Sequence, residues 1–124
     1  MAEKIAVVPG RSLGSIALGM RREALPKACT VSNDVGALGP IGFSLTNDVV
    51  DDAWLDELES RPVLIEVNHL VIDPRASLAE WEKVLGPCER LDDVIGGTFY
   101  NCRAGLSLGF NIDGILSQIR LKRR

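Results

Sequence analysis

The sequence predicts an α+β fold in which an antiparallel β-sheet has helices packed on one face. Two kinds of segment indicate this class. Residues 63–72, and three later segments between residues 98 and 121, are rich in β-forming side chains and alternate apolar with polar positions. Residues 77–87 instead carry the start and stop signals of a helix. A chain of 124 residues fits one domain, whose folding buries about two-thirds of the unfolded chain's surface.

The first third of the chain is expected to contain a short helix between two short strands. Apolar side chains recur on one helical face over residues 20–28, and Pro26 limits the length of that helix. Residues 13–18 and 29–32 are the candidate strands on either side. The glycine-rich residues 33–42 are then expected to form a loop.

A second helix is expected after a strand over residues 41–45. Asp51 and Asp52 can cap this helix and place negative charge in its first turn. The helix runs through about Ser60, and Pro62 marks its exit. The strand over residues 63–72 follows directly.

The third helix is expected between two clear boundary signals. Ser77 and Glu80 have the spacing of a capping box, in which each side chain satisfies a backbone N–H of the other. Gly86 suits the left-handed position after the last turn, and Pro87 cannot continue the helix.

Three strands are expected after this helix, over residues 98–103, 106–111 and 115–121. Asp113 and Gly114 are a tight-turn signal between the last two strands, and residues 103–105 are expected to close the preceding hairpin.

The two halves of the chain resemble each other. The segment 39–43 is similar to 105–110, and the segment 62–67 is similar to 114–119. We therefore expect one domain over residues 1–124 with two candidate tandem repeats, 13–72 and 75–122, that build one sheet together.

The two ends of the chain also resemble a known superfamily. Residues 13–25 read LGSIALGMRREAL and residues 105–119 read GLSLGFNIDGILSQI. The first is similar to the opening, and the second to the closing hairpin, of the outer-membrane assembly lipoproteins of the BamE/SmpA type and the secreted β-lactamase inhibitory proteins. These motifs consist of glycines and apolar residues and carry no chemistry, so the resemblance implies a protein-binding scaffold.

Composition and the cysteines favour a cytoplasmic protein. The net charge of −3 and the few aromatic residues disfavour nucleic-acid binding. The sequence lacks a signal-peptide pattern, a lipid-attachment cysteine and a run of about 18 apolar residues. Cys29, Cys88 and Cys102 are an odd number without CxxC spacing, so we interpret them as buried thiols of a reducing compartment.

No residue pattern indicates catalysis, a cofactor or a metal. His69 is the single histidine, and no nucleophile motif accompanies it. The glycines lack the setting of a phosphate-binding loop, and the aspartates around residue 50 lack calcium-loop spacing. We interpret His69 as a structural residue that faces the core or ends a strand.

Charge is distributed unevenly along the chain. No basic residue lies between Lys27 and Arg61, whereas seven acidic residues do. One interpretation is a solubilising helix face, with Trp54 in the core. The alternative is an acidic docking face around that tryptophan. Its residues are Asp48, Asp51, Asp52, Trp54, Asp56 and Glu57.

These observations favour a non-enzymatic bacterial protein-binding domain. The specific expectation is an immunity-type inhibitor that binds a toxin or enzyme with a basic surface and neutralises it through the acidic face. The alternatives are an assembly or adaptor subunit of a larger complex, and a small-ligand-binding protein that uses His69 and a cysteine.

Overall fold

The computed structural model describes residues 3–91, 97–103 and 105–122, and these residues form a nearly all-β fold. Strands make up 53% of the structure and helices 12%. The expectation of an α+β fold with helices packed on one sheet face is therefore wrong. Within the described residues the chain has one α-helix, α1 (Leu78–Leu85), and two single-turn 3₁₀ helices, Arg22–Ala24 and Leu58–Ser60.

Thirteen strands account for most of the described residues. In chain order they are β1 (Glu3–Val8), β2 (Ser12–Leu13), β3 (Ile16–Ala17), β4 (Thr30–Ser32), β5 (Val35–Leu38), β6 (Ile41–Thr46), β7 (Val49–Leu55), β8 (Val63–Val67), β9 (Leu70–Ile72), β10 (Cys88–Arg90), β11 (Gly97–Cys102), β12 (Leu106–Asn111) and β13 (Leu116–Lys122).

The strands form two sheets that share one core. A five-stranded sheet has the order β3-β2-β1-β8-β9, in which β1 and β8 are parallel. An eight-stranded sheet has the order β10-β11-β12-β13-β7-β6-β5-β4, and all its pairings are antiparallel. One continuous cluster of buried apolar side chains contains residues of both sheets, among them Val7, Ile65, Phe43 and Ile119. Central strands such as β6 and β8 therefore bury alternate side chains and leave the others on an outer face.

The second predicted helix is wrong, because residues 49–55 form β7 in the middle of the larger sheet. Val50, Ala53 and Leu55 are fully buried, and a bulge in the pairing with β6 accommodates the extra residue between the first two. Pairing with β6 on one side and β13 on the other outweighs the local capping signal of Asp51 and Asp52. Only Leu58–Ser60 is helical in this region, as one 3₁₀ turn.

The first predicted helix is also wrong beyond a single 3₁₀ turn at Arg22–Ala24. Leu25 is extended, as expected for a residue that precedes proline. The predicted loop over residues 33–42 contains β5, in which Gly36 lies against Phe43 of β6. A side chain at Gly36 would overlap the phenyl ring, which explains a glycine inside a strand.

Helix α1 confirms the third predicted helix. The Ser77 hydroxyl accepts a hydrogen bond from the backbone N–H of Glu80, and Gly86 follows the helix at a φ of 82°. Trp81 and Leu85 are buried in the shared core.

The predicted strands over residues 41–45, 98–103, 106–111 and 115–121 are confirmed within two residues as β6, β11, β12 and β13. The predicted strand 63–72 is instead split into β8 and β9. Asn68 and His69 have φ angles of 52° and 67° and form the tight turn between them. The hairpin closure predicted over residues 103–105 includes Ala104, which lies outside the described residues.

The two halves of the chain contribute matching parts to the eight-stranded sheet. Strands β4 to β7 and β10 to β13 are two four-stranded meanders that meet where β7 pairs with β13. The similar segments 39–43 and 105–110 thus lie at β6 and β12. The segment 62–67, by contrast, forms β8 of the other sheet, so β7 and not β8 corresponds in position to β13. The repeat boundaries 13–72 and 75–122 stay a prediction.

The interpretation of the cysteines as buried thiols is wrong for two of the three. Cys88 and Cys102 form a disulfide between β10 and β11, and Cys29 is free and half-buried. Of the helices in the described part of the chain, none has the length and apolar character to cross a membrane.

Candidate functional site

The outer face of the eight-stranded sheet, opposite the core, carries the most distinctive group of side chains. Strand alternation and register place on this face residues that are far apart in sequence. We use "outer face" for the group Asp52, Trp54, Asp56, Phe99, Asn101, Ser107, Gln118 and Arg120.

Trp54 lies at the centre of the outer face, against the backbone of β6. A β-carbon placed on Gly42 would be only 2.3 Å from the indole Nε1, so the ring occupies the space that a side chain would fill. On the other side, the guanidinium carbon of Arg120 is 5.5 Å from the ring centroid, within cation–π range. The indole is therefore fixed from both neighbouring strands while part of it remains exposed to solvent.

Phe99 repeats this arrangement on β11. A β-carbon on Gly109 of β12 would lie 2.7 Å from the phenyl Cε1 and 3.4 Å from the β-carbon of Gln118. The two aromatic rings thus each cover a glycine of an adjacent strand. Both rings are half-buried, so the outer face combines apolar surface with the polar side chains around it.

Arg120 joins the aromatic and acidic parts of the outer face. Its Nε donates to Oδ1 of Asp52 at 2.9 Å and its Nη2 donates to Oδ2, which makes a bidentate ion pair. The Asp52 side chain is 12% exposed and that of Arg120 is 45% exposed. The hydrogen bond to Asp52 raises the pKa of Arg120, so the guanidinium stays charged and oriented.

The remaining polar side chains of the outer face also hold one another. Gln118 Nε2 donates to Oδ1 of Asp56 at 2.8 Å, and the Ser107 hydroxyl donates to Oδ1 of Asn101 at 2.6 Å. These contacts cross from β13 to the end of β7 and from β12 to β11. The polar groups of the outer face are therefore already ordered by contacts within the chain.

The six residues predicted to form an acidic docking face are only partly brought together. Asp52, Trp54 and Asp56 share the outer face. Asp48 lies in the turn between β6 and β7, and Glu57 lies in a left-handed conformation before the 3₁₀ turn that follows β7. Asp51 occupies the β7 bulge and accepts hydrogen bonds from the hydroxyls of Ser44 and Thr46.

Basic side chains compensate several of these acids in the folded structure. Arg22 pairs with Asp48 at 2.8 Å, and the hydrogen bond to that carboxylate raises the pKa of Arg22. Arg61 lies 3.8 Å from Glu57. The acidic segment has no basic residue in its sequence, but in the folded protein basic side chains from outside the segment partly neutralise its charge. The role of the six residues in docking stays a prediction.

Sequence reasoning missed Arg120, Gln118 and Phe99. The alternation of 115–121 did contain a signal, because it separates Gln118 and Arg120 from the buried Ile119 and Leu121. Nothing local indicates that Arg120 binds Asp52, which lies 68 positions away.

The other candidate residues lie elsewhere. His69 is exposed in the turn between β8 and β9 and does not face the core. Burial raises the pKa of the half-buried Cys29 thiol. In residues 3–91, 97–103 and 105–122, no group of three or more His, Cys, Asp or Glu side chains is arranged to hold a metal ion.

Two surface cavities accompany these features. One, of about 180 Å³, lies between Leu58 and Arg75, and the other, of about 310 Å³, surrounds the disulfide. Neither is lined by a residue of the outer face other than Asn101. Neither a protein-family model, nor a curated protein, nor a solved structure matches this chain.

Proposed function

We propose that this chain is a non-enzymatic protein-binding domain and that it binds its partner through the outer face of the eight-stranded sheet. The observation that carries the proposal is the presence of Trp54, Phe99 and Arg120 together on the solvent side of one sheet. Tryptophan and arginine are enriched among the residues that dominate the energy of protein interfaces.

Pre-organisation strengthens this proposal. Trp54 is held between Gly42 and Arg120, and Arg120 is held by Asp52. Side chains that are already fixed lose little conformational entropy when a partner binds. The central side chains of the outer face therefore suit a rigid docking surface.

The specific version is an immunity-type inhibitor of a toxin or enzyme with a basic surface. Exposed acids flank Trp54 along β7: the Asp48 side chain at one end is 71% exposed, and that of Glu57 beyond the other end is 72% exposed. An acidic rim increases the rate of association with a basic partner and makes that rate sensitive to salt. This arrangement supports a docking role for the predicted acidic residues, with the tryptophan as their apolar centre.

An adaptor subunit is the second candidate, and the edge strand β9 favours it. Leu70 and Val71 are 55% and 52% exposed on a strand that, among the described residues, pairs only with β8. Exposed apolar side chains on a sheet edge suit the addition of a partner strand. The small-ligand alternative has less support, because His69 lines neither surface cavity.

The cytoplasmic location is proposed from the sequence, and the disulfide weighs against it. Disulfides persist mainly in oxidising compartments. Alkylation of free thiols in freshly lysed native cells, followed by mass spectrometry, distinguishes a cytoplasmic location from an oxidising compartment. Free thiols at Cys88 and Cys102 would support the cytoplasm, and an intact disulfide would support an oxidising compartment.

Comparative capture from the native source tests the proposed function. The wild type, Trp54→Ala and Ile112→Ala are immobilised, and the bound proteins are quantified by mass spectrometry. Ile112 is a matched control because it is 85% exposed and lies on the turn between β12 and β13. We expect one protein to be retained by the wild type and by Ile112→Ala and to be lost with Trp54→Ala.

Two outcomes would contradict the proposal. Equal retention by all three proteins would place binding elsewhere, and Leu70→Asp would then test β9 in the same way. The absence of any specifically retained protein would count against a protein-binding function. An association rate that does not change with salt concentration would contradict the proposed role of the acidic rim.

A further inference from the structure

We propose that the Cys88–Cys102 disulfide is a reducible latch. In the oxidised state it holds the edge strand β10, and the junction between helix α1 and β10, against β11. Reduction releases this strand and junction while the rest of the fold stays intact. The proposal does not depend on the outer face having a partner, because no step of it involves one, although Phe99 and Asn101 of that face lie on the same strand as Cys102.

Strand β10 is short and lies at the edge of the eight-stranded sheet. It is three residues long and pairs with β11 at three positions, of which the disulfide is the first. In the described part of the chain it is also the last strand of its sheet, with β11 as its neighbour on one side. Glu89 and Arg90 are exposed and bury little apolar surface. The disulfide therefore constrains this strand together with its backbone hydrogen bonds, one of which runs from the N–H of Leu91, directly after the strand, to the carbonyl of Phe99 at 2.8 Å.

The same bond constrains the end of helix α1. The backbone N–H of Cys88 donates to Oε2 of Glu82 in the helix at 3.1 Å. The N–H of Arg103, directly after Cys102, donates to the carbonyl of Pro87 at 3.0 Å. These two hydrogen bonds lie on either side of the disulfide, so its opening loosens the junction between helix and strand.

The disulfide is accessible to a reductant. It lines the cavity of about 310 Å³ at the surface, together with Pro87, Glu89, Asn101 and Arg103. Cys88 is half-buried, whereas Cys102 is 6% exposed. A thiolate therefore reaches Sγ of Cys88 more readily than Sγ of its partner.

The reductant is a dithiol. One thiolate attacks Sγ of Cys88, the Cys88–Cys102 bond breaks, and Sγ of Cys102 leaves as a thiolate that takes a proton. The second thiol of the reductant, as a thiolate, attacks the mixed disulfide and releases Cys88, which is also protonated. Two electrons pass to the protein, and the dithiol becomes a disulfide.

The opening is local because the central part of the core lies elsewhere. The fully buried residues of the eight-stranded sheet are on β6, β7, β12 and β13, for example Phe43, Leu55, Leu108 and Ile119. The free thiol cannot interfere, since Cys29 directly precedes β4 at the other edge of this sheet.

Hydrogen exchange followed by mass spectrometry tests the latch, on the full chain without denaturant and with or without dithiothreitol. We expect dithiothreitol to reduce the disulfide and to accelerate exchange about tenfold or more over residues 86–91 and 97–103. Exchange in β6, β7 and β13 should not change. The double variant Cys88→Ser/Cys102→Ser should show the accelerated pattern without reductant, and Cys29→Ser should match the wild type.

Three results would overturn the proposal. Resistance of the disulfide to the dithiol in the native protein would make the bond inert. Unchanged hydrogen exchange after reduction would have the same meaning. Accelerated hydrogen exchange throughout β6 and β7 would instead show that the disulfide stabilises the whole fold. If the double variant does not fold, that outcome also indicates that the disulfide stabilises the whole fold. Hydrogen exchange in the reduced wild-type protein tests the same point without the variant.

Discussion

The pair formed by Arg120 and Asp52 determines how the outer face is ordered at the scale of single residues. Asp52 is 8% exposed overall, so its carboxylate depends on the guanidinium for compensation of its charge. Arg120 in turn contacts the indole of Trp54. Because its pKa is raised above an already high value, Arg120 contributes to stability throughout the neutral range and loses that contribution only in strong alkali.

We expect Arg120→Ala to lower the free energy of unfolding by about 1–2 kcal/mol, because it leaves the Asp52 carboxylate without its charged donor. Urea denaturation of the purified variant measures this. Lys4→Ala is the matched control, since it removes a more exposed ion pair with Glu66 and should cost less. An equal loss in the two variants would show that the Arg120 pair has no special role.

The fit between Gly42 and Trp54 gives a second prediction at this scale. Gly42→Ala should destabilise the protein by about 1–3 kcal/mol, because the new β-carbon overlaps the indole. The loss should be much smaller when Gly42→Ala is made in a Trp54→Ala background, as a double-mutant cycle in urea would measure. The same loss in both backgrounds would mean that the indole does not lie on Gly42.

The third residue prediction concerns the reactivity of Cys29. Burial raises the pKa of its thiol above the ordinary value of 9.0, so less thiolate is present at neutral pH. The folded protein should therefore react with iodoacetamide more slowly than the urea-unfolded protein, and its rate should reach half of its maximum only above pH 9.0. The raised pKa also makes stability depend on pH. The Cys29 thiol contributes stability at pH values below its ordinary pKa, and this contribution is lost as the pH rises past the pKa of the folded state.

Cys29→Ser is the control for this measurement, because the other two cysteines form a disulfide and do not alkylate. Equal rates for the folded and unfolded protein at neutral pH would contradict the burial of Cys29.

At the scale of elements, α1 and β7 differ in how far the local sequence predicts their conformation. Helix α1 could be predicted because its signals are local: the capping box at Ser77 and Glu80, and the glycine that ends it. Strand β7 could not, because two aspartates before an apolar stretch favour a helix locally. Its strand conformation depends on pairing with β6 and with β13, more than 60 positions later. The bulge at Asp51 further hides the alternation that identifies a strand.

The cap of α1 gives the prediction at this scale. Ser77→Ala should lower the free energy of unfolding by about 1 kcal/mol, because it removes the acceptor for the N–H of Glu80. Ser77→Asp should restore most of the loss. Ser60→Ala, at an exposed serine that ends a 3₁₀ turn, should change stability by less than about 0.5 kcal/mol. Urea denaturation of the three variants checks this, and equal effects of Ser77→Ala and Ser60→Ala would remove the cap from the account.

At the scale of the whole molecule, the meeting of the two meanders creates the outer face. The pairing of β7 with β13 brings Asp52, Trp54 and Asp56 beside Gln118 and Arg120. The sequence pattern predicts Trp54 and its acidic neighbours as a docking site, but on a helix and not on a strand. It could not predict their basic and amide partners, because contacts across a sheet depend on which strands pair. The similarity between 39–43 and 105–110 predicted only that the halves contain related strands.

Mapping a purified partner onto the protein by NMR tests the central claim most directly. The protein obtained by comparative capture is titrated into the ¹⁵N-labelled chain, and the shifts of the backbone and tryptophan indole N–H signals are followed. We predict the largest changes at the Trp54 indole and at the amides of β6, β7, β12 and β13, with no change at the indole of the buried Trp81. Changes confined to β8 and β9 around Leu70, with the Trp54 indole unaffected, would contradict the outer face as the binding surface.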